Sequence, residues 1–181
     1  HHGTMFITQG FIASSRSPKT TTTLGREGSD FTAAIFANCL NAKELTIWKD
    51  VDGLRNADPK RFPETKKIEH LSYFEAIELA FYGASIIHPN TLKPLQNKNI
   101  PLKVRSFINT ELKPSIIDGT EDYIEYVPSF IVKEKQTLMS ISARDYSFMN
   151  EHNRALVFNI MDELNIHANM TQVSALVLSI C

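Results

Sequence analysis

Thr20-Thr21-Thr22-Thr23-Leu24-Gly25-Arg26-Glu27-Gly28-Ser29-Asp30 is the stretch from which the reading of this chain proceeds. The threonine run favours extended backbone. Gly25 and Gly28 then bracket Arg26, and glycine permits a sharp turn and lets a ligand approach the main chain. Ser29 to Asn41 reads as an amphipathic helix with Phe31, Ala34, Ile35 and Asn38 along one side. Ser29 or Asp30 is expected to cap that helix, at an end where free N–H groups and the macrodipole favour anions. An arginine and an aspartate at one mouth can hold a carboxylate and an ammonium together, which are the two charges of an amino acid. The same residues also suit an ordinary capped turn with surface charges, and spacing alone does not separate the two readings.

The rest of the composition narrows the classes. The 181 residues are 43% hydrophobic and 22% charged, which supplies ample material for a core in one or two domains. A net charge of -1 gives no electrostatic case for nucleic acid or an anionic membrane. No apolar run approaches the ~18 residues of a membrane span. Cys39 and Cys181 have neither metal-ligand spacing nor a disulfide framework, which fits a reducing cytoplasm. His70, His88, His152 and His167 are dispersed, so no metal site is expected, and His88 before Pro89 is read as organising a turn. His1-His2 reads as the tail of an affinity tag.

Met5 to Ser14 is apolar and reads as a buried strand, and Lys43 to Val51 as another. Asp52-Gly53 and Asn56-Ala57-Asp58-Pro59 are turn signals. Strand, helix and strand with short links argue for a three-layer α/β arrangement with parallel strands. Arg61 to Lys67 reads as a surface loop. Ser72-x-x-Glu75 is a capping box opening a helix over Tyr73 to Tyr82, stopped by Gly83. A short helix over Asn90 to Gln96, a strand over Ile100 to Phe107 and a linker near 109–129 follow. Beyond it come a strand (Gln136 to Ala143), a helix (Asn150 to Asn165) and two strands (His167 to Gln172, Val173 to Ile180). The helix carries Leu156, Ile160 and Leu164 four apart, as core or as a dimer interface, with Val157 and Met161 beside them. That β-α-β-β order is most of a ferredoxin-like unit.

Six pieces occur in the order found in aspartate kinases: ITQGFIAS, TTTLGREGSD, IWKDVDG with NADP, SYFEAIELAFYGASIIHP, IPLKVRSF and DGT. The chain resembles that family over nearly its whole length, and the tail from Phe130 is similar to the first half of an ACT regulatory region. The resemblance implies an α/β fold of the amino-acid-kinase (carbamate-kinase-like) three-layer type, C-terminal portion, over residues 5–120. A partial ferredoxin-like ACT domain over 130–181 is implied to follow.

The activity implied is transfer of the γ-phosphoryl of ATP, with Mg²⁺, to the β-carboxylate of L-aspartate, the entry step to lysine, threonine and methionine. The carboxylate is already ionised at neutral pH, so positioning and charge neutralisation carry such a step. By the resemblance, Arg26 binds a carboxylate of aspartate, Asp30 faces its ammonium, and Thr23 and Ser29 supply hydroxyls. Lys49, Asp50, Arg55, Lys60 and Ser85 fall at nucleotide-contacting positions, with Gly53 and Asp58-Pro59 shaping the loop around the adenosine. In the regulatory part, Asp145, Asn153, Asn169 and Thr171 are the expected contacts to a lysine or threonine effector. A homodimer or higher homo-oligomer through ACT pairing is also implied.

The chain departs from the commonest family pattern at several of these positions. Glu27 stands where glycine is usual, Lys49 replaces a threonine, Arg55 a tyrosine, Lys60 an arginine and Ser85 a lysine. Loss of the lysine at 85 and gain of one at 49 suggest that one ammonium replaces the other. The family's upstream Lys-Phe-Gly-Gly motif and substrate-gripping glutamate are absent from these 181 residues. The chain alone is therefore expected to be inactive and its parent active. The departures keep a second reading open, a non-catalytic amino-acid-sensing module or regulatory subunit, against which Arg26, Gly28, Ser29 and Asp30 speak. A same-fold kinase acting on glutamate or a nucleotide finds no support in the TTTLGR-x-GSD motif.

Overall fold

A computed structural model of the chain describes residues 3–84, 87–120 and 127–181. The chain divides into two compact units, His1–Val132 and Lys133–Cys181.

The first unit opens with an antiparallel hairpin of β1 (Ile12–Ser14) and β2 (Thr21–Thr23), in which Ile12 pairs with Thr23. Helix α1 (Gly28–Leu40) and strand β3 (Leu45–Lys49) follow. A small ribbon of β4 (Leu54–Arg55) and β5 (Lys67–Ile68) leads to β6 (His70–Ser72), α2 (Tyr73–Tyr82) and α3 (Pro89–Gln96). Strands β7 (Leu102–Ser106) and β8 (Ser115–Asp118) complete a sheet of order β3-β7-β8-β6. Along β7 the alternation is strict: Leu102, Val104 and Ser106 are buried while Lys103 and Arg105 are not. The inward residues, with Ile47 and Ile117, meet Ala34 and Ala37 of α1, Tyr73 and Ala76 of α2, and Leu92 and Leu95 of α3 in one core. Tyr73 donates its hydroxyl to the Ile100 carbonyl at 2.6 Å, and burial pushes its pKa up to about 12.

Local chemistry sets the helix ends. Ser72 accepts from the Glu75 amide while the Glu75 carboxylate accepts from the Ser72 amide, so the expected capping box is formed, and Gly83 closes α2 in the left-handed region. Pro89 takes the first position of α3, where its missing N–H costs nothing, and His88 Nδ1 accepts from the Asn90 amide.

Four expectations are corrected. The sheet is mixed: β3–β7 and β6–β8 are parallel, but β7–β8 is antiparallel. The stretch 109–129 is not all linker, because β8 lies inside it, paired on both sides with Ser115 and Ile117 buried. The loop from Arg61 stops before Lys67, where β5 begins and pairs with β4. Met5 to Ser14 is not a buried strand: only Ile12–Ser14 is extended in a ladder, and Met5, Phe6 and Ile7 are 84–92% exposed. Among the described residues nothing pairs with residues 5–10, and apolar character without a ladder partner does not produce burial.

The second unit contains β9 (Met139–Ser142), α4 (Glu151–Glu163), β10 (Thr171–Val173) and β11 (Val177–Ile180), with antiparallel order β10-β11-β9. The first strand thus lies beside the third, as a ferredoxin-like unit requires. Asn150 caps α4 by accepting from the Asn153 amide at 3.0 Å. Met149, Met161, Leu178 and Ile180 form the core, with Val157 packed against it. The Leu156/Ile160/Leu164 stripe is not core within this chain: the three are 49%, 55% and 64% exposed. Among the described residues no helix is long and apolar enough to cross a membrane.

Candidate active site

The turn between β2 and α1 is built by close packing of backbone on side chain. A Cβ on Gly28 would lie 2.7 Å from the Phe11 ring and 3.1 Å from Leu24 Cβ, so only glycine fits. Thr32 Oγ1 accepts from the Phe11 amide at 2.9 Å and donates to the Gly28 carbonyl at 2.8 Å, which pins the residue preceding β1 to the helix start. The cap is not Ser29 or Asp30, as expected, but Glu27, in the left-handed region at φ 54, with no side-chain cap bond. Because α1 begins at Gly28, Ser29 and Asp30 fall inside its first turn, and the Asp30 carboxylate is left there to complement the dipole. Glu27 Oε2 is buried without a hydrogen-bond partner among the described residues. Arg26 and Ser29 are exposed, and neither side chain makes a hydrogen bond or ion pair among the described residues; Thr23 is exposed at the end of β2.

The second element is a cavity of about 930 Å³ in the first unit, over the ends of β3 and β7. It is lined by Lys49, Asp50, Gly53, Arg55, Asp58 and Lys60, together with Ser106 and the 128–132 side of the unit through Phe130 and Val132. A Cβ on Gly53 (φ +131) would lie 2.5 Å from Ser115 Oγ and 2.9 Å from Lys67 Cε. The buried Ser115 hydroxyl accepts from the Leu54 amide at 2.9 Å and donates to the Ile68 carbonyl at 2.6 Å, tying the loop to the sheet. Arg55 is taken up by the loop itself. Its Nε and Nη2 donate to the two Asp52 oxygens at 3.0 and 2.6 Å, and Nη1 donates to the Thr65 carbonyl and hydroxyl at 3.0 and 2.8 Å. That bidentate bond holds the Asp52 carboxyl below its ordinary range. Asp50 is exposed at the cavity, and its carboxylate has no partner among the described residues. Asp58 Oδ1 accepts from the Lys60 amide at 2.9 Å, which leaves the Lys60 side chain exposed.

Lys49 joins the two elements. Its Nζ donates to Asp30 Oδ2 at 2.8 Å, with the side chains 24% and 18% exposed, while Lys49 also lines the cavity. Ser85 lies outside the described residues.

Sequence reasoning missed the wall of the cavity. Asn56 accepts from the Lys66 amide, donates to the Pro128 carbonyl at 3.0 Å, and offers its own carbonyl to the Phe130 amide at 2.7 Å. These bonds lay residues 128–130 along the loop and bring Phe130 within 6.4 Å of Phe62, ring to ring. Residues 130–132 therefore belong to the first unit, although the sequence groups them with the second. The Asn in the NADP turn was the only local signal.

In the second unit the four expected effector contacts do not converge within one chain. Asp145 follows the C-terminal end of β9 and accepts from the Ser147 amide, and Asn153 lies in the first turn of α4. Asn169 sits at the opposite end of the sheet, donating its amide to the Cys181 carbonyl and bonded through its side chain to Lys133 and Gln136. Thr171 pairs with Ile180 at that same end.

The family model for the amino acid kinase family matches residues 1–106. Among curated relatives, the chain is 32% identical over 185 residues to aspartokinase 1, chloroplastic, of Arabidopsis thaliana, covering 99% of this chain and 32% of that protein. It is 34% identical over 173 residues to lysine-sensitive aspartokinase 3 of Escherichia coli, covering 94% of this chain and 37% of that protein. A crystal structure of E. coli aspartokinase III in complex with aspartate and ADP superposes with a TM-score of 0.76 at 31% identity, over 94% of this chain and 38% of that one. The chain thus spans about a third of the length of the curated relatives it matches. The match covers the hairpin, the glycine turn and the strands β3, β6 and β7 of the sheet, and the chain belongs to the amino acid kinase family.

Proposed function

We propose that the protein containing this chain is an aspartate kinase, which transfers the γ-phosphoryl group of ATP to the β-carboxylate of L-aspartate. The observation that carries the reading is the Lys49–Asp30 pair at 2.8 Å, which makes the glycine turn and the cavity one continuous site. Arg26, exposed and with no side-chain bond among the described residues, is the carboxylate partner of aspartate, with Thr23 and Ser29 supplying hydroxyls. Asp30 faces the substrate ammonium. A cavity of about 930 Å³ suits a nucleotide, and Lys60 and Asp50 are its available charges. Arg55 acts by holding the loop, since Asp52 and Thr65 occupy its guanidinium. Ser85 is assigned to the nucleotide site by the family resemblance alone and lies outside the described residues.

Mg²⁺ fits this donor set as a companion of the nucleotide rather than as a resident ion. Among the described residues no group of three or more His, Cys, Asp or Glu side chains could hold a metal, and Asp50 offers one free carboxylate. When bound with the triphosphate, the ion neutralises phosphate charge. The chain's residues position the acceptor and keep the nucleotide oriented.

The domain division follows the same reading: residues 5–120 are the C-terminal part of the kinase domain, and the expected 130–181 segment, less the three residues 130–132 that pack in the first unit, is a partial ACT domain that senses lysine or threonine. The lysine-sensitive relative and the β-α-β-β topology of the second unit support it. The exposed Leu156, Ile160 and Leu164 suit pairing of two such units in a homo-oligomer, and Asp145 and Asn153 at one end of the sheet are the better-placed effector contacts. A cytoplasmic location goes with the two free cysteines.

Trapping of the acyl phosphate by hydroxylamine in the intact protein tests the activity. Aspartyl hydroxamate formed from ATP and L-aspartate, suppressed by lysine or threonine, is the expected result. Effector binding with no hydroxamate would favour the sensing-module reading instead.

A further inference from the structure

The Lys49–Asp30 pair carries more than the continuity of the site. β3 delivers Lys49 to the cavity edge, and the first turn of α1 delivers Asp30 from the opposite side. One ammonium thus touches the turn proposed for the acceptor and the cavity proposed for the phosphates. A γ-phosphoryl group and a carboxylate repel each other as they meet, and a cation fixed between them favours their approach and the charge that develops during transfer. Without Lys49, the mostly buried Asp30 carboxylate would add a third negative charge at that point.

Resting on the aspartate-kinase reading, we propose that Lys49 is a catalytic residue of the transfer step, held by Asp30 so that its ammonium faces the γ-phosphoryl as well as the acceptor. A β-carboxylate oxygen forms the new P–O bond. The bond from γ-phosphorus to the β,γ-bridging oxygen breaks, its electron pair stays on ADP, and Lys49 keeps its proton throughout. This differs from simple replacement of a nucleotide-gripping lysine, because the structure gives Lys49 a partner in the acceptor motif.

The two roles separate in steady-state kinetics of the intact enzyme. Lys49→Met is expected to lower kcat by about 100-fold, while both Michaelis constants move by less than about threefold. Lys49→Arg, which keeps the charge and the reach to Asp30, is expected to restore most of the rate. A Lys49→Met enzyme with wild-type kcat, or one whose only defect is a raised KM for ATP, overturns the proposal. The double variant Asp30→Asn/Lys49→Met removes both charges and leaves neither partner unpaired, so it stays informative even where the single variant does not fold. Its kcat should lie well below that of Asp30→Asn alone. Equal kcat values would mean that Lys49 merely neutralises Asp30, and would overturn the proposal. Absence of aspartate-dependent turnover in the wild-type enzyme would instead overturn the underlying reading. An active wild type with unaffected Lys49 variants overturns this inference alone.

Discussion

The cavity loop from Lys49 to Ile68 and the glycine turn from Thr23 to Asp30 are both irregular segments at strand ends, yet they are held in opposite ways. The loop is bound within itself and to the sheet: Arg55 to Asp52 and Thr65, Asn56 to Lys66 and Pro128, and Gly53 pressed onto a doubly bonded Ser115. The turn is packed from beneath by Phe11 and Thr32 but leaves the Arg26 and Ser29 side chains without partners among the described residues, and Lys49 ties it to the loop. A segment whose polar groups are satisfied internally is preorganised. One whose charges point outward can bind only by recruiting a ligand. On the proposed aspartate-kinase reading, the loop presents a ready cavity, while the turn supplies recognition.

Stability measurements can break that comparison. Gly53→Ala should have the largest effect, because a Cβ 2.5 Å from Ser115 Oγ at φ +131 forces the loop off the sheet; thermal unfolding is expected to show a loss of ~3 kcal/mol or more. Ser115→Ala leaves the Leu54 amide without its acceptor and the Ile68 carbonyl without its donor, and is expected to cost ~2–3 kcal/mol in denaturant titration. Arg55→Ala should cost ~1–2 kcal/mol, since its bonds to Asp52 and Thr65 are partly exposed.

The Asp52 carboxyl adds a pH signature. Its pKa is depressed in the folded chain, chiefly by the Arg55 bond. The stabilisation is therefore complete above the ordinary carboxylate pKa and is lost as the pH falls through the depressed one. Wild-type stability should drop on acidification through that window more steeply than that of Arg55→Ala.

In the turn, Glu27→Gly should stabilise the chain by about 1 kcal/mol, because an L-residue at φ 54 gives way to one without the steric cost, and an unpartnered carboxylate oxygen is removed. Arg26→Ala should leave stability within ~0.5 kcal/mol. A large loss there would mean that the turn, like the loop, is held by its own side chains.

Much of this was legible locally. The capping box at Ser72 and Glu75 and the Asp52-Gly53 turn each announce their own geometry within four residues, whereas Pro89, read as a turn, takes the first position of α3, and Asn150, read as helical, is the cap of α4. What escaped depends on distant partners. Ser-Ile-Ile-Asp becomes the strand β8 only because β6 and β7 flank it, and its partners in β6 lie 46 residues away, His70 opposite Ile116. Direction within the sheet was equally hidden, since hydrophobic alternation is the same in parallel and antiparallel strands. Apolar residues 5–7 announced a strand, but burial needs a partner that periodicity does not name. In the candidate site, residue types pointed to Arg26 and Asp30 and the family resemblance to Asp50 and Gly53, whereas the Lys49–Asp30 contact joins positions 19 apart and followed only from the fold. Glu27 in the capping position is a further case: the Ser29-Asp30 pair offers a favourable cap chemically, and the glycine packing at Phe11 starts the helix earlier.

Calorimetric titration of the intact protein with L-aspartate, with and without Mg-ADP, tests the central claim most directly, using wild type beside Arg26→Ala. Heat from both ligands is expected in the wild type, with loss of the aspartate signal in Arg26→Ala and an unchanged ADP signal. Aspartate binding that survives Arg26→Ala, or a wild type that binds ADP but never aspartate, would contradict it.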